Sequence, residues 1–176
     1  MNLFAFEGKS PVVHPGAFVA PTATLIGDVT VEDGASIWYG AVLRADICTI
    51  VVRAGTNVQD NSVLHAAPGE TLTIGPHVTI GHGCVIHCRE IGEKALIGNG
   101  STLLDGASVG PGTLVAAGSV VTPGTAIPAG VVAAGVPCKA IKPVAGSSSE
   151  IWVESNSLYY RELGVRHGAG ITRLEP

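Results

Sequence analysis

Three of the six histidines, His65, His82 and His87, are the residues best suited to chemistry. They share a stretch with Arg44, Asp46, Gln59 and Asp60. Neutral imidazole is a common transition-metal ligand, and three such ligands leave the fourth position of a tetrahedral ion open. That is the arrangement of catalytic zinc, whose coordinated water ionises near neutral pH to give a hydroxide nucleophile. A single histidine is more often a solvated or packed residue. What matters is whether the backbone brings these three into register.

The backbone pattern is a repeat of six. Aliphatic residues recur at Ile91, Ile97, Leu103, Val109, Val115, Val121 and Ile127. Four places after each stands a small or β-branched residue: Ala95, Ser101, Ala107, Thr113, Ser119, Thr125 and Val131. An earlier run has the same period at Val13, Val19, Leu25, Val31, Ile37 and Leu43, and short runs at Val52–Leu64 and Ile74–Ile86 link the two. The frame slips near Ala45–Val51, at Ala66–Thr73 and before Ile91, which predicts bulges or loops there. A period of six fits neither a heptad coiled coil nor an amphipathic helix. It fits short strands joined by turns and stacked as a parallel β-helix, in roughly six triangular coils. The fold class is thus all-β, with a β-helix over 1–143. A linker and one helix over 144–176 follow, packed on the prism or on a neighbouring subunit. Ile151, Leu158 and Val165, with Trp152, Tyr159 and Leu163, have helical spacing, and Gly164 and Gly168 read as stops.

The repeat places the histidines. If each slip counts as one enlarged hexad, Leu43, Leu64 and Ile86 lie on one face of successive coils. Arg44, His65 and His87 each follow such an anchor by one residue and form a column. Adjacent coils are ~4.8 Å apart, so two imidazoles in that column can reach one ion. Asp60 and His82 follow Val58 and Ile80 by two and form a second column on another face, with Gln59 alongside. The two columns meet if a neighbouring prism presents its second column to the first, which threefold symmetry does. The spacing therefore points to a three-histidine site shared between subunits of a homotrimer.

The remaining features narrow the function class. Net charge is −4 without a basic run, which argues against nucleic-acid binding. No stretch approaches a membrane span, and the first residues lack the features of a signal peptide. Hydrophobic residues make up 46% and aromatics 5%, so the core is built of small aliphatics. The four cysteines form no disulfide framework, which suggests a reducing cytoplasm. Cys84 and Cys88 flank the histidines and offer a mixed Cys/His site as an alternative, although Cys84 falls at an inward place of its hexad. Cys48 lies in a slip and reads as a surface or packing residue. His14, His77 and His167 read as surface residues without acidic or histidine partners at ligand spacing. Glycine-rich runs such as Gly110-Pro111-Gly112 are repeat turns, because no lysine or strand-to-helix switch accompanies them.

The stretches Leu43–Asp46, Asn57–His65 and Ile80–His87, with the repeats to Pro137 and the helix at Asn156–Leu163, resemble the γ-class carbonic anhydrase family. The resemblance covers most of the chain. It implies a left-handed parallel β-helix assembled as a homotrimer, against the usual right-handed crossover rule. It also implies Zn2+, or Fe2+ or Co2+, held by His65 and His87 of one subunit and His82 of the next. By the same resemblance Arg44 and Asp60 pair across the interface, Asp46 supports the arginine and the site, and Gln59 orients the metal-bound water toward CO2. Tyr160 aligns with a helix tyrosine bordering the site. The implied activity is that of a carbonate dehydratase, the reversible hydration of CO2 to bicarbonate. Two departures stand out. The long acidic loop that carries a proton-shuttle glutamate is replaced by the short Ala66–Thr71, whose only acid is Glu70, and Ile47 stands where the archetype has a glutamate. Fast hydration needs that proton to leave, so the missing acids count against high turnover. Two other readings belong to the same prism. One is an acyltransferase or thioesterase acting on coenzyme A esters. The other is a non-catalytic metal-binding or assembly protein.

Overall fold

A computed structural model describes residues 1–174. Short parallel strands, most of two residues, stack coil on coil into three faces of a prism. On the first face Leu25, Leu43, Leu64, Ile86, Leu103 and Val121 pair in succession. On the second the succession is Val31, Val52, Ile74, Ile91, Val109 and Ile127. The third carries Val19, Ile37, Val58, Ile80, Ile97, Val115 and Ala133. The solenoid has about seven turns, one more than the hexad count suggests. The difference arises at the two ends, where Asn2–Phe4 pairs with Thr24–Ile26 and Val131–Ala134 pairs with Leu114–Val115 beyond the run of hexads.

Most coils bury their anchors completely: Leu64, Ile86, Ile97 and Leu103 are 0% exposed, while Val13 and Val19 in the first coils are half-buried. The fourth-place residues Ala41, Ala95, Ser101, Ala107 and Thr113 are buried where the corners leave room only for a small side chain. A stack of this kind distributes stability along its axis, because each coil contacts only its neighbours.

The slips have distinct structures. The first is a strand, Val42–Val52, that runs over a corner and pairs with both the first and the second face. Its extra residues form an irregularity opposite Gly27–Val29. The second slip, at residues 65–70, is a short excursion that rejoins the stack at Thr71–Ile74.

The C-terminal helix spans Glu150–Gly170 and lies against the third face. Two expectations are overturned here. Neither Gly164 nor Gly168 stops the helix. A Cβ on Gly164 would lie 3.2 Å from the Cβ of Phe18, so this glycine serves close helix–prism approach. The packed face is also not the expected stripe. Val153, Ser157 and Gly164 are buried, while Ile151, Trp152, Leu158, Tyr159 and Val165 are exposed. The apolar spacing was legible, but the prism receives the smaller residues because only they permit close contact.

Candidate metal centre

The first-face column forms as the repeat requires. Leu43, Leu64 and Ile86 pair in register, and the next residue of each is Arg44, His65 and His87. The His65 amide donates to the Ile86 carbonyl at 3.0 Å, which locks the two histidines one coil apart. Their rings lie 5.1 Å apart between centroids, and Nδ1 of His65 is 3.0 Å from Nε2 of His87.

The other ring nitrogens face carboxylates. Nε2 of His65 is 3.1 Å from Oδ1 of Asp46, and Nδ1 of His87 is 2.6 Å from Oδ1 of Asp105. A bare nitrogen lone pair facing a carboxylate at such a distance is repelled, so each of these nitrogens carries the proton. In neutral rings the two nitrogens that face one another are then both unprotonated. Two lone pairs at 3.0 Å need a cation between them, either a shared proton or a metal ion. Two nitrogens bound at ~2.05 Å to one tetrahedral ion stand about 3.3 Å apart, close to the spacing here. The donor set fits a metal.

Asp46 belongs to the same network. Its Oδ2 accepts from the Arg44 guanidinium and its Oδ1 from the Ile47 amide at 3.0 Å. Burial works to raise its pKa, but hydrogen bonds from Arg44 and His65 outweigh it and hold the carboxyl below the usual range.

The second column forms on the third face. Val58 pairs with Ile80, and Asp60 and His82 follow at equivalent turn positions. Nδ1 of His82 is 2.9 Å from Oδ2 of Asp60. The turn demands special backbone. Gly40, Asn61 and Gly83 stack with positive φ, and a Cβ on Gly40 would meet the Asn61 side chain at 2.3 Å. Asn99 closes the column by accepting from the His82 amide at 3.1 Å. Gln59 is buried, and its Nε2 donates to Asn57 at 3.1 Å. Tyr160 reaches over from the helix, with its hydroxyl 3.5 Å from Nε2 of His82. Burial first, and then the Asp60 charge, push the Tyr160 phenol up, which keeps it protonated. Gln59, His82, Asn156 and Tyr160 line a cleft of about 290 Å³ between helix and prism, over Leu96, Leu114 and Trp152.

Within one chain the two columns therefore stand on different faces. Among the described residues of a single chain, no group of three or more histidine, cysteine or carboxylate side chains is placed to hold a metal ion. Arg44 pairs with Asp46 of its own chain, and Asp60 with His82.

The cysteines and remaining histidines need some revision. Cys84 and Cys88 are buried in the prism, and burial pushes the Cys88 thiol up to about 12, which disfavours thiolate ligation. Cys48 is buried as well, a packing residue rather than a surface one. His14 is not without an acidic partner: its Nδ1 lies 3.2 Å from Asp33. His167 is not a free surface residue. Its Nδ1 bonds the Tyr39 hydroxyl at 3.0 Å, and its ring stands edge-on to Trp38 at 4.9 Å. Asp105 went unnoticed in the sequence, because Leu104-Asp105-Gly106 reads as one more repeat turn.

Comparison with known proteins agrees with this architecture. The family model "Bacterial transferase hexapeptide (six repeats)" matches residues 90–123. The chain is 48% identical over 112 residues to γ carbonic anhydrase 1, mitochondrial, of Arabidopsis thaliana. That match covers 60% of this chain, which spans 40% of the longer plant protein. The carnitine operon protein CaiE of Escherichia coli K12 is 38% identical over 176 residues, covering all of this chain and 89% of CaiE. Among solved structures, a hexapeptide transferase family protein from Anaplasma phagocytophilum is 40% identical with a TM-score of 0.87, covering 93% of this chain and 96% of that one. A protein from Bacillus cereus described as an acetyltransferase is 35% identical with a TM-score of 0.91, covering 95% and 96%. With matched hexapeptide repeats, 38% identity to CaiE along the whole chain and 48% identity to a plant γ carbonic anhydrase over 112 residues, the chain belongs to the γ-carbonic anhydrase-like family of hexapeptide-repeat proteins.

Proposed function

We propose that this chain is a metalloenzyme for reversible CO2 hydration, a carbonate dehydratase working at sites shared between the subunits of a homotrimer. The observation that carries the reading is the pair of facing ring nitrogens on His65 and His87, 3.0 Å apart, each ring having a carboxylate at its other nitrogen. His82 of the partner subunit completes the set, because within one chain it stands on another face. The ion is Zn2+, with Fe2+ or Co2+ as alternatives of the same coordination chemistry. When bound, it supplies the Lewis acidity that makes water nucleophilic near neutral pH.

The chain's own residues supply orientation. Asp46 and Asp60 hold the protons of His65 and His82 away from the ion position. Gln59 spends its N–H on Asn57 and leaves its carbonyl oxygen free to accept from the reacting water. Arg44 is half-exposed on the face that the neighbouring prism must cover, where Asp60 of the partner subunit is its counter-charge. Tyr160 stays protonated beside His82 and donates at the mouth of the cleft. The buried free thiols accord with a reducing cytoplasm.

A second reading, acyl transfer or hydrolysis of a coenzyme A ester, has support in the transferase descriptions of the solved relatives and in a cleft far larger than CO2. Elemental analysis and a CO2-hydration assay on one sample purified without chelators separate the readings. Near one metal per chain with hydration above background supports the proposal. Absence of stoichiometric metal overturns it. Bound metal with background hydration favours the acyl-ester or non-catalytic readings.

A further inference from the structure

The contact between His87 and Asp105 is the closest made by any of the three candidate ligands to a carboxylate, at 2.6 Å. Asp105 comes from the coil above. Leu103 pairs with Ile86, so Leu104 overlies His87 and Asp105 begins the next turn. The turn is fixed independently of the side chain. Asp105 accepts through its carbonyl from the Gly124 amide at 2.8 Å, Leu104 donates to Val121 at 3.0 Å, and Gly106 follows with φ +68°. The Asp105 side chain is 61% exposed, so core packing does not hold it against the ring. A histidine–carboxylate contact alone marks nothing here, because His14 and Asp33 make one too. What sets His87 apart is the opposite nitrogen, which faces another histidine.

We propose that Asp105 is a positioning residue: its carboxylate fixes His87 as the Nδ1–H tautomer and aims Nε2 at the ion position shared with His65. This rests on the metal reading above. It gives each of the three ligands its own carboxylate: Asp46 for His65, Asp60 for His82 and Asp105 for His87. Such partners orient a ligand ring and raise its basicity, and their loss weakens metal binding about 10–100-fold. Asp105 lies behind the ring, on the side away from the ion, so it acts through His87 and not on the substrate.

The test uses the full-length protein with Zn2+ as the probe, titrated against a competing chromophoric chelator. Asp105→Ala should bind Zn2+ about 10–100-fold more weakly than the unaltered chain. Asp105→Asn keeps an accepting oxygen without the charge and should fall between the two. A second readout needs no metal. In the stripped protein, 15N shifts of the histidine side chains should show His87 protonated at Nδ1, and Asp105→Ala should move that proton toward Nε2. A purely structural role would alter melting without changing the tautomer. Unchanged Zn2+ affinity with an unchanged His87 tautomer overturns the proposal. If the unaltered chain binds no stoichiometric Zn2+, the metal reading falls and takes this one with it. If that chain binds Zn2+, His87→Ala does not, and Asp105→Ala binds normally, the Asp105 role alone is wrong.

Discussion

The upper stack, Ile91–Ile127, and the middle coils, residues 42–89, share one prism but follow different rules. In the upper stack anchors fall every six residues without interruption, strands are two residues long and the anchors are fully buried or nearly so. In the middle coils an 11-residue strand runs over a corner and a short excursion leaves the stack at residues 65–70. All three candidate ligands, with Arg44, Asp46, Gln59 and Asp60, fall in the irregular part. Regular hexads buy stability and little else, since each coil repeats the chemistry of the one below. A slip shifts register locally, and that is how Asp46 comes to lie beside His65, one coil away. Two turn residues of the regular stack cross the division: Asp105 reaches back to His87, and Asn99 to the His82 amide.

If the comparison holds, stability and metal binding should separate by region. The largest expected effect is on metal. His65→Ala, His82→Ala and His87→Ala should each lose the ion, while far-UV circular dichroism still reports a β-helix, because none of the three packs in the core. Full metal content in any of them would show that the columns are wrongly assigned. Next comes Ile127→Ala in the regular stack, which pairs with Val109 on the second face, away from the histidines; it should cost about 2–5 kcal/mol by denaturant unfolding yet leave metal per folded chain unchanged. A drop in metal content there would blur the division. Arg44→Ala should weaken trimer assembly by a smaller margin, about 1 kcal/mol, because its side chain is 45% exposed on the single chain. Equal trimer content by sedimentation would remove the cross-subunit role of Arg44. A comparably small effect belongs to the helix latch. Tyr39→Phe removes the bond to His167 and should cost about 0.5–1.5 kcal/mol in thermal unfolding without touching the metal.

Legibility in the sequence follows the same division. The period of six, with its small fourth-place residues, states the prism almost outright, and the columns follow from counting anchors across the slips. Three things were hidden. The helix face was misread because Ile151, Leu158 and Val165 have the spacing of a buried stripe, whereas contact with Phe18 selects for glycine at 164. His167 looked isolated because its partners, Tyr39 and Trp38, lie more than a hundred residues away, joined only by folding. Asp105 was hidden because a turn aspartate before glycine is what any hexad turn can carry. Its role depends on which residue lies one coil below.

The central claim is that one metal site takes His65 and His87 from one subunit and His82 from another. Mixing subunits tests it most directly. His82→Ala and His87→Ala chains, each alone, should carry no metal. Co-refolded at equal amounts, they should form mixed trimers in which one interface pairs intact His65 and His87 with an intact His82, restoring about one quarter of the unaltered metal content. Metal that stays absent from confirmed mixed trimers would contradict a site shared between subunits.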